Sequence, residues 1–157
     1  MGVLGAESVH VASGYLDDAD LADLTRAGAV GVMSRGGAMS GVAYALLRSR
    51  GVGVRYACAT GNDCDVSVAE LASVVAEDPE LKLLLLYLEA IRDPGPFVET
   101  ARIARARGLP IVALKSGRTP AGQQAAESHT GALANEDRVV EAFLERWEAL
   151  FGEASAT

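Results

Sequence analysis

Histidine, cysteine and aromatic residues are scarce in this sequence, and each shortage excludes a class of protein. Among 157 residues there are two histidines and two cysteines, and aromatic residues make up 5%. Two cysteines are too few for the disulfide framework of a small secreted domain. Cys58 and Cys64 also lie far from either histidine along the chain, which does not match zinc-ligand spacing, so we predict no metal site.

Positive charge and long apolar runs are lacking too. The formal net charge is −7 at pH 7 and the pI is about 4.8, which argues against binding DNA or RNA through a basic surface. The longest apolar run, residues 83–88, is far shorter than the roughly 20 residues that cross a bilayer. The first residues lack a signal-peptide pattern. We therefore expect a cytoplasmic protein that binds neither nucleic acid nor membrane.

The composition is that of one compact domain with an ample core. Hydrophobic residues make up 50% of the chain, and 157 residues is an ordinary length for a single domain. We predict an irregular junction segment over residues 1–27, a folded domain over 28–150 and a tail over 151–157.

Strand-like and helix-like patterns alternate regularly after residue 28. Short apolar runs, typical of buried strands, occur at 29–34, 52–59, 82–88 and 111–115. Helices are predicted from the turn at Gly36 and Gly37 to about residue 50, and over 67–77, 97–107 and 136–150. Apolar strands separated by such helices require a parallel sheet covered on both faces. We therefore predict an α/β domain of the flavodoxin-like, doubly wound type.

The chemically interesting positions follow predicted strands. In an open parallel sheet, ligands bind at the carboxyl ends of the strands, near the point where the strand order reverses. The turn after the first of these strands starts a helix, so its free N–H groups can bind a phosphate or a carboxylate. The candidate residues there are Ser34, Gly36, Gly37 and Ala38. Glycines at such a turn can equally serve close packing alone, and neither a Walker pattern nor G-x-G-x-x-G occurs.

Glu89 and His129 are candidates for a catalytic pair. Glu89 directly follows the apolar strand 82–88, and His129 lies in a loop of small residues. A partly buried carboxylate can fix the tautomer of an imidazole and leave its other nitrogen free as a nucleophile. The alternatives are a solvated glutamate at a strand end and an inert loop histidine. Lys115 and Arg118 are candidates for contacting an anion, or they face solvent at the sheet edge.

Five short motifs together resemble the succinyl-CoA synthetase-like flavodoxin domain of the NDP-forming acyl-CoA synthetase family. They are GVMSRGGA (31–38), GND (61–63), LYLE (86–89), LKSGRT (114–119) and SHTGAL (128–133). Their order and spacing match over about residues 28–145. The combination is highly specific, although no single motif is.

The resemblance implies a role in phosphate relay. Family members join a carboxylic acid to CoA while an NTP becomes NDP and phosphate, through an acyl phosphate and a phosphorylated histidine that matches His129. Glu89 matches the carboxylate that orients this histidine, and the turn 34–38 matches the helix start that receives the phosphoryl group. Gly36 stands where members usually have a serine, so one hydroxyl donor to the phosphate is missing.

The resemblance also implies partners that lie outside this sequence. These are a CoA-binding Rossmann domain and an ATP-grasp domain, in the same chain or on a separate subunit. The complete enzyme would use ATP or ADP, Mg²⁺ and CoA, whereas this domain alone is expected to bind no cofactor and to be inactive in isolation. A homo-oligomer is compatible with the sequence.

Two other functions compete with this interpretation. A non-catalytic scaffold or regulatory module with the same fold is favoured slightly by the missing serine at Gly36, but a docking module has no need of both His129 and Glu89. A flavin-binding protein follows from fold analogy alone. The few aromatic residues and the lack of a Ser/Thr-rich first turn argue against it.

Overall fold

The computed structural model describes residues 2–5, 9–11, 28–89, 91, 93–117, 119 and 122. The strands in these ranges are β1 (Gly2–Gly5), β2 (Val9–Val11), β3 (Val30–Ser34), β4 (Val54–Ala59), β5 (Leu83–Leu88) and β6 (Ile111–Lys115). The helices are α1 (Gly37–Ser49), α2 (Val68–Val75) and α3 (Gly95–Arg107). From residue 28 to 115 the elements alternate as the sequence predicts. The helix predicted over 136–150 and the tail lie outside the described residues.

The sheet has the strand order β2-β1-β4-β3-β5-β6. Strand β3 pairs in parallel with β4 on one side and with β5 on the other, and β5 pairs in parallel with β6. The parallel strands therefore run β4-β3-β5-β6, with the first strand of the series between the second and the third. This is the flavodoxin-type order, so the predicted α/β, doubly wound fold is confirmed.

The opening segment contains strands that the sequence does not predict. Strand β1 pairs antiparallel with β4, from Gly2 opposite Ala59 to Gly5 opposite Tyr56, and with β2 on its other side. Strands of three and four residues are too short to show a clear apolar alternation. Their position is set instead by the open edge of β4, which offers unpaired backbone groups to another strand.

Each face of the sheet has its own apolar layer. Successive residues of a strand point to opposite faces, so Val32 packs in the layer under α1 and Met33 packs in the layer under α2 and α3. The second layer is the larger. Its buried members include Ala72, Leu84 and Cys58.

Local signals fix where the helices of the larger layer begin and end. Ser67 caps α2: its hydroxyl accepts a hydrogen bond from the Glu70 N–H at 3.2 Å, and the Glu70 carboxylate accepts one from the Ser67 N–H at 2.8 Å. Helix α3 ends at Gly108, whose φ of 64° is the left-handed conformation that glycine adopts most easily. Within the described ranges, no helix has the length and apolar composition needed to span a bilayer.

Candidate functional site

The candidate site lies where β3 and β5 end side by side. In this strand order the chain leaves β3 towards β4 on one side and leaves β5 towards β6 on the other, which opens a crevice between the carboxyl ends of β3 and β5. Ser34 is in register with Tyr87, and the Arg35 N–H donates to the Tyr87 carbonyl oxygen at 3.3 Å. The residues that follow the two strands are therefore neighbours, although more than fifty positions separate them in sequence.

A tight turn joins β3 to α1. The buried Ser34 hydroxyl donates to the Gly36 carbonyl oxygen at 2.8 Å, and Gly36 is the N-cap of α1 with no side chain to occupy the helix start. The Ser40 N–H makes the first helical bond, to Gly36, at 3.1 Å. The N–H groups before Ser40 precede this ladder. Since the Ser34 proton is already engaged, we expect the N–H groups of Gly37 and Ala38 to be the donors to an anion.

The Glu89 side chain lies against this turn. A Cβ atom built on Gly36 would be 3.5 Å from Glu89 Oε1 and 3.9 Å from Tyr87 Cε1. Glu89 Oε2 is buried and has no hydrogen-bond partner among the residues that the structure describes. The structure therefore brings the predicted carboxylate to the start of α1, with one oxygen available to accept a hydrogen bond.

The other predicted site residues come from β6 and the segment that follows it. Lys115 is in register with Leu88, the residue before Glu89, so the end of β6 borders the site. Its Nζ donates to the Ser116 carbonyl oxygen at 2.5 Å, and the Ser116 N–H donates to the Leu88 carbonyl oxygen at 2.9 Å. His129 and Arg118 lie outside the described residues, and their roles stay predictions.

Arg35 is a site residue that the sequence analysis missed. Its side chain is only 3% exposed, its Nε is 3.3 Å from the Gly61 carbonyl oxygen, and it is 3.5 Å from Asp63 Oδ2. Its Nη2 is buried without a partner within the described part of the chain. The available signal was a basic residue between a strand predicted to be buried, 29–34, and a glycine turn.

The loop after β4 holds Arg35 in place. The Thr60 and Gly61 N–H groups donate to the carbonyl oxygens of Ser34 and Arg35, each at 3.0 Å, so the loop runs alongside the end of β3. The Thr60 hydroxyl also donates to Asp63. Asp63 has a φ of 53° and Gly61 a φ of 70°, so the loop turns through two left-handed residues. This geometry gives Gly61 and Asp63 of the GND motif a structural role.

A cavity of about 160 Å³ opens between the ends of β3 and β5 and the starts of α2 and α3. Arg35 and Glu89 both line it, together with polar residues at the helix starts and an apolar wall. The apolar wall is formed by Val68, Ala69, Leu88, Pro96 and Phe97. In the described residues, no group of three or more His, Cys, Asp or Glu side chains is placed to hold a metal ion.

The sequence of this chain matches a known protein family. Residues 27–153 match the model of the succinyl-CoA ligase-like flavodoxin domain, which covers most of the chain. The chain belongs to this family. The ADP-forming acetate–CoA ligase of Methanocaldococcus jannaschii is 35% identical over 115 residues, which are 73% of this chain and 16% of that protein. The family is thus that of the NDP-forming acyl-CoA synthetases, as the five motifs predict.

Two further comparisons extend the likeness. The alpha subunit of ADP-forming acetate–CoA ligase II from Pyrococcus furiosus is 31% identical over 144 residues, which are 90% of this chain and 31% of that subunit. A dinucleotide-forming acetyl-coenzyme A synthetase from Candidatus Korarchaeum cryptofilum, solved with phosphate and ADP, superposes with a TM-score of 0.65 at 28% identity, covering 77% of this chain and 26% of that one. The chain thus spans a third or less of these family members.

Proposed function

We propose that the chain is the phosphohistidine domain of an NDP-forming acyl-CoA synthetase, with His129 carrying phosphate between an acyl phosphate and the nucleotide. The observation that carries the proposal is the position of Glu89: its carboxylate lies against the α1 start and one oxygen has no partner in the described chain. A carboxylate in this position suits an imidazole N–H, and the helix start suits the phosphoryl group. Family membership supports both roles.

The proposed step needs no proton transfer. The lone pair of one nitrogen of the neutral His129 ring attacks phosphorus, a P–N bond forms, and the P–O bond to the acyl group breaks. The acid leaves as a carboxylate with the bonding electron pair. The ring gains a positive charge, which the Glu89 carboxylate stabilises through the N–H of the other ring nitrogen. The N–H groups of Gly37 and Ala38 bind the phosphoryl oxygens.

The remaining steps require parts outside this sequence. We propose that a CoA-binding domain and an ATP-grasp domain, on the same or another chain, complete the reaction with CoA, Mg²⁺ and ATP or ADP. This chain spans a third or less of the length of these relatives. We therefore expect the isolated domain to be inactive as a ligase and to carry out only the phosphorylation of His129. The carboxylic acid substrate would meet this domain as its acyl phosphate.

The two histidines of the chain provide a matched test. We expect radioactive phosphate from an acyl phosphate or from phosphoramidate to label the parent protein in an acid-labile, alkali-stable form, located by mass spectrometry under non-acidic conditions. His129→Ala and His129→Asn should abolish the label, and His10→Ala should keep it. Labelling of His129→Ala at the parent level would refute the proposal and favour a non-catalytic module.

A further inference from the structure

Arg35 is a buried cation with unused hydrogen-bonding capacity. Its side chain is 3% exposed, and its Nε is 3.5 Å from Asp63 Oδ2 and 3.3 Å from the Gly61 carbonyl oxygen. The Nη2 nitrogen is buried without a hydrogen-bond partner in the part of the chain that the structure describes. Removing a guanidinium nitrogen from water without giving it an acceptor is costly. We therefore expect a ligand to supply the acceptor.

The cavity beside Arg35 has the size and lining for a small organic group. Its volume is about 160 Å³, roughly that of five water molecules in the liquid. Val68, Leu88 and Phe97 provide apolar surface on which hydrocarbon can pack. Because Glu89 lines the same cavity, a group bound there lies next to the proposed phosphoryl site.

Carboxylates at the cavity limit which groups it can hold. Asp63 lines it beside Arg35 and Glu89 lines it beside the proposed phosphoryl site, whereas Glu70 and Asp93 line it close to the starts of α2 and α3. Glu70 accepts the Ser67 N–H and Asp93 accepts the Gly95 N–H, at 2.8 and 2.9 Å, and these bonds leave both negative charges in place. A dicarboxylic acid carries a second carboxylate in its tail, and these negative charges would repel it. An uncharged tail would not.

We infer that this cavity is the acyl subsite of the proposed reaction and that it selects short monocarboxylic acids with uncharged tails over dicarboxylic acids. Arg35 Nη2 donates a hydrogen bond to the carbonyl oxygen of the acyl phosphate, and the tail packs on the apolar wall. This inference rests on the proposed function, because the acyl phosphate is the donor in that reaction. The subsite itself makes and breaks no bond; it holds the acyl group while phosphorus moves to His129.

Three phosphoryl donors distinguish an effect on binding of the acyl group from an effect on phosphoryl transfer to His129. Acetyl phosphate and succinyl phosphate differ by a charged tail, and phosphoramidate has no acyl group at all. We expect acetyl phosphate to label the parent protein about tenfold faster than succinyl phosphate. Asp93→Asn keeps an acceptor for the Gly95 N–H and removes one negative charge. It should therefore reduce the ratio of the labelling rate with acetyl phosphate to that with succinyl phosphate. The matched control is Asp65→Asn, on an exposed residue that does not line the cavity.

Variants of Arg35 and of the apolar wall test the placement directly. Arg35→Gln should lower labelling by acetyl phosphate about tenfold and leave labelling by phosphoramidate near the parent rate. Val68→Leu adds a methylene group to the wall without touching the charged residues, so it should lower labelling by propionyl phosphate about tenfold. Val74→Leu is the control on the same helix, because Val74 is 69% exposed whereas Val68 is 3% exposed.

The outcomes distinguish the two proposals. If phosphoramidate labels His129 but acetyl and succinyl phosphate label it equally fast, the acyl subsite is overturned and the phosphohistidine role stands. Equal effects of Val68→Leu and Val74→Leu would also overturn the subsite. If none of the donors labels His129, the proposed function is wrong and the acyl subsite falls with it.

Discussion

Buried polar groups are paired differently at the two ends of the parallel strands. We call the side where the strands begin the amino edge and the side where they end the carboxyl edge. At the amino edge, Asp78 accepts hydrogen bonds from the Tyr56 hydroxyl at 2.6 Å and from Arg55 Nε at 2.5 Å. At the carboxyl edge, Arg35 Nη2 and Glu89 Oε2 are buried with no partner among the described residues. Both edges thus contain buried or half-buried charge, but in the described part of the chain only the carboxyl edge leaves buried side-chain atoms without a hydrogen-bond partner.

The glycines show the same contrast. At the amino edge a Cβ atom on Gly53 would be 2.7 Å from the Gly28 Cα, and the Gly53 carbonyl oxygen accepts the Val30 N–H at 3.3 Å, so two backbones touch. At the carboxyl edge a Cβ on Gly36 would lie at an ordinary 3.5 Å from Glu89 Oε1, and one on Gly37 would have no atom of the described residues within 4 Å. The amino edge is closed by packing, whereas the carboxyl edge has open space and, among the described residues, buried polar atoms without partners.

Substitution of Gly53 is expected to give the largest difference in stability between the two edges. Gly53→Ala forces a methyl group into the Gly28 backbone, which cannot rotate aside, and should lower the free energy of unfolding by about 3 kcal/mol. Gly37→Ala, the same change at the open edge, should alter it by less than about 1 kcal/mol, towards greater stability. Urea denaturation of both variants measures the difference. Equal losses would show that the two edges do not differ in packing.

A second test replaces one carboxylate at each edge by its amide. Burial raises the pKa of Asp78, but hydrogen bonds from Tyr56 and Arg55 outweigh it and bring the pKa from 3.8 to about 2. A lowered pKa stabilises the fold above pH 3.8, and this contribution is lost as the pH falls towards 2. Asp78→Asn should therefore cost about 1 kcal/mol at pH 7 and remove that part of the acid dependence, measured by denaturation from pH 7 to pH 2.5.

Glu89→Gln is the counterpart at the carboxyl edge. Because Glu89 Oε2 has no partner in the described chain, removing its charge should leave the free energy of unfolding within about 0.5 kcal/mol of the parent, or raise it. Phosphate labelling of His129 should fall sharply, whereas Asp78→Asn should leave labelling unchanged. A loss of stability in Glu89→Gln as large as in Asp78→Asn would show that the Glu89 carboxylate makes interactions that stabilise the fold.

Sequence reasoning reached the parts of the fold that short-range patterns encode. The apolar runs of β3, β5 and β6 and the glycine turn at Gly36 and Gly37 are local signals, and together they imply a parallel sheet. Once the flavodoxin-type order is inferred, topology places Glu89 beside that turn, and the structure brings the two together.

What sequence reasoning missed depends on distant contacts. The burial of Arg35 follows from the loop after β4, since Gly61 and Asp63 engage its Nε and helices from other segments close the cavity around it. The glycine turn beside Arg35 is a local signal for a site residue, but no pattern in the residues around it encodes these distant contacts. Strand β1 is likewise placed by its pairing with β4, more than fifty residues further along the chain.

The smallest expected effect concerns the helix start itself. Gly36 is the N-cap of α1 and carries no capping side chain, so Gly36→Ser should raise the free energy of unfolding by about 0.5 kcal/mol through a hydroxyl that accepts a first-turn N–H. The space allows it, because the new Cβ would be 3.5 Å from Glu89 Oε1, and the hydroxyl proton can be donated to that oxygen. Gly36→Ala is the control, since it adds the Cβ without the hydroxyl and should not stabilise. If alanine stabilises as much as serine, the gain comes from restricting the conformations of the unfolded chain. The serine hydroxyl would then contribute nothing to capping α1.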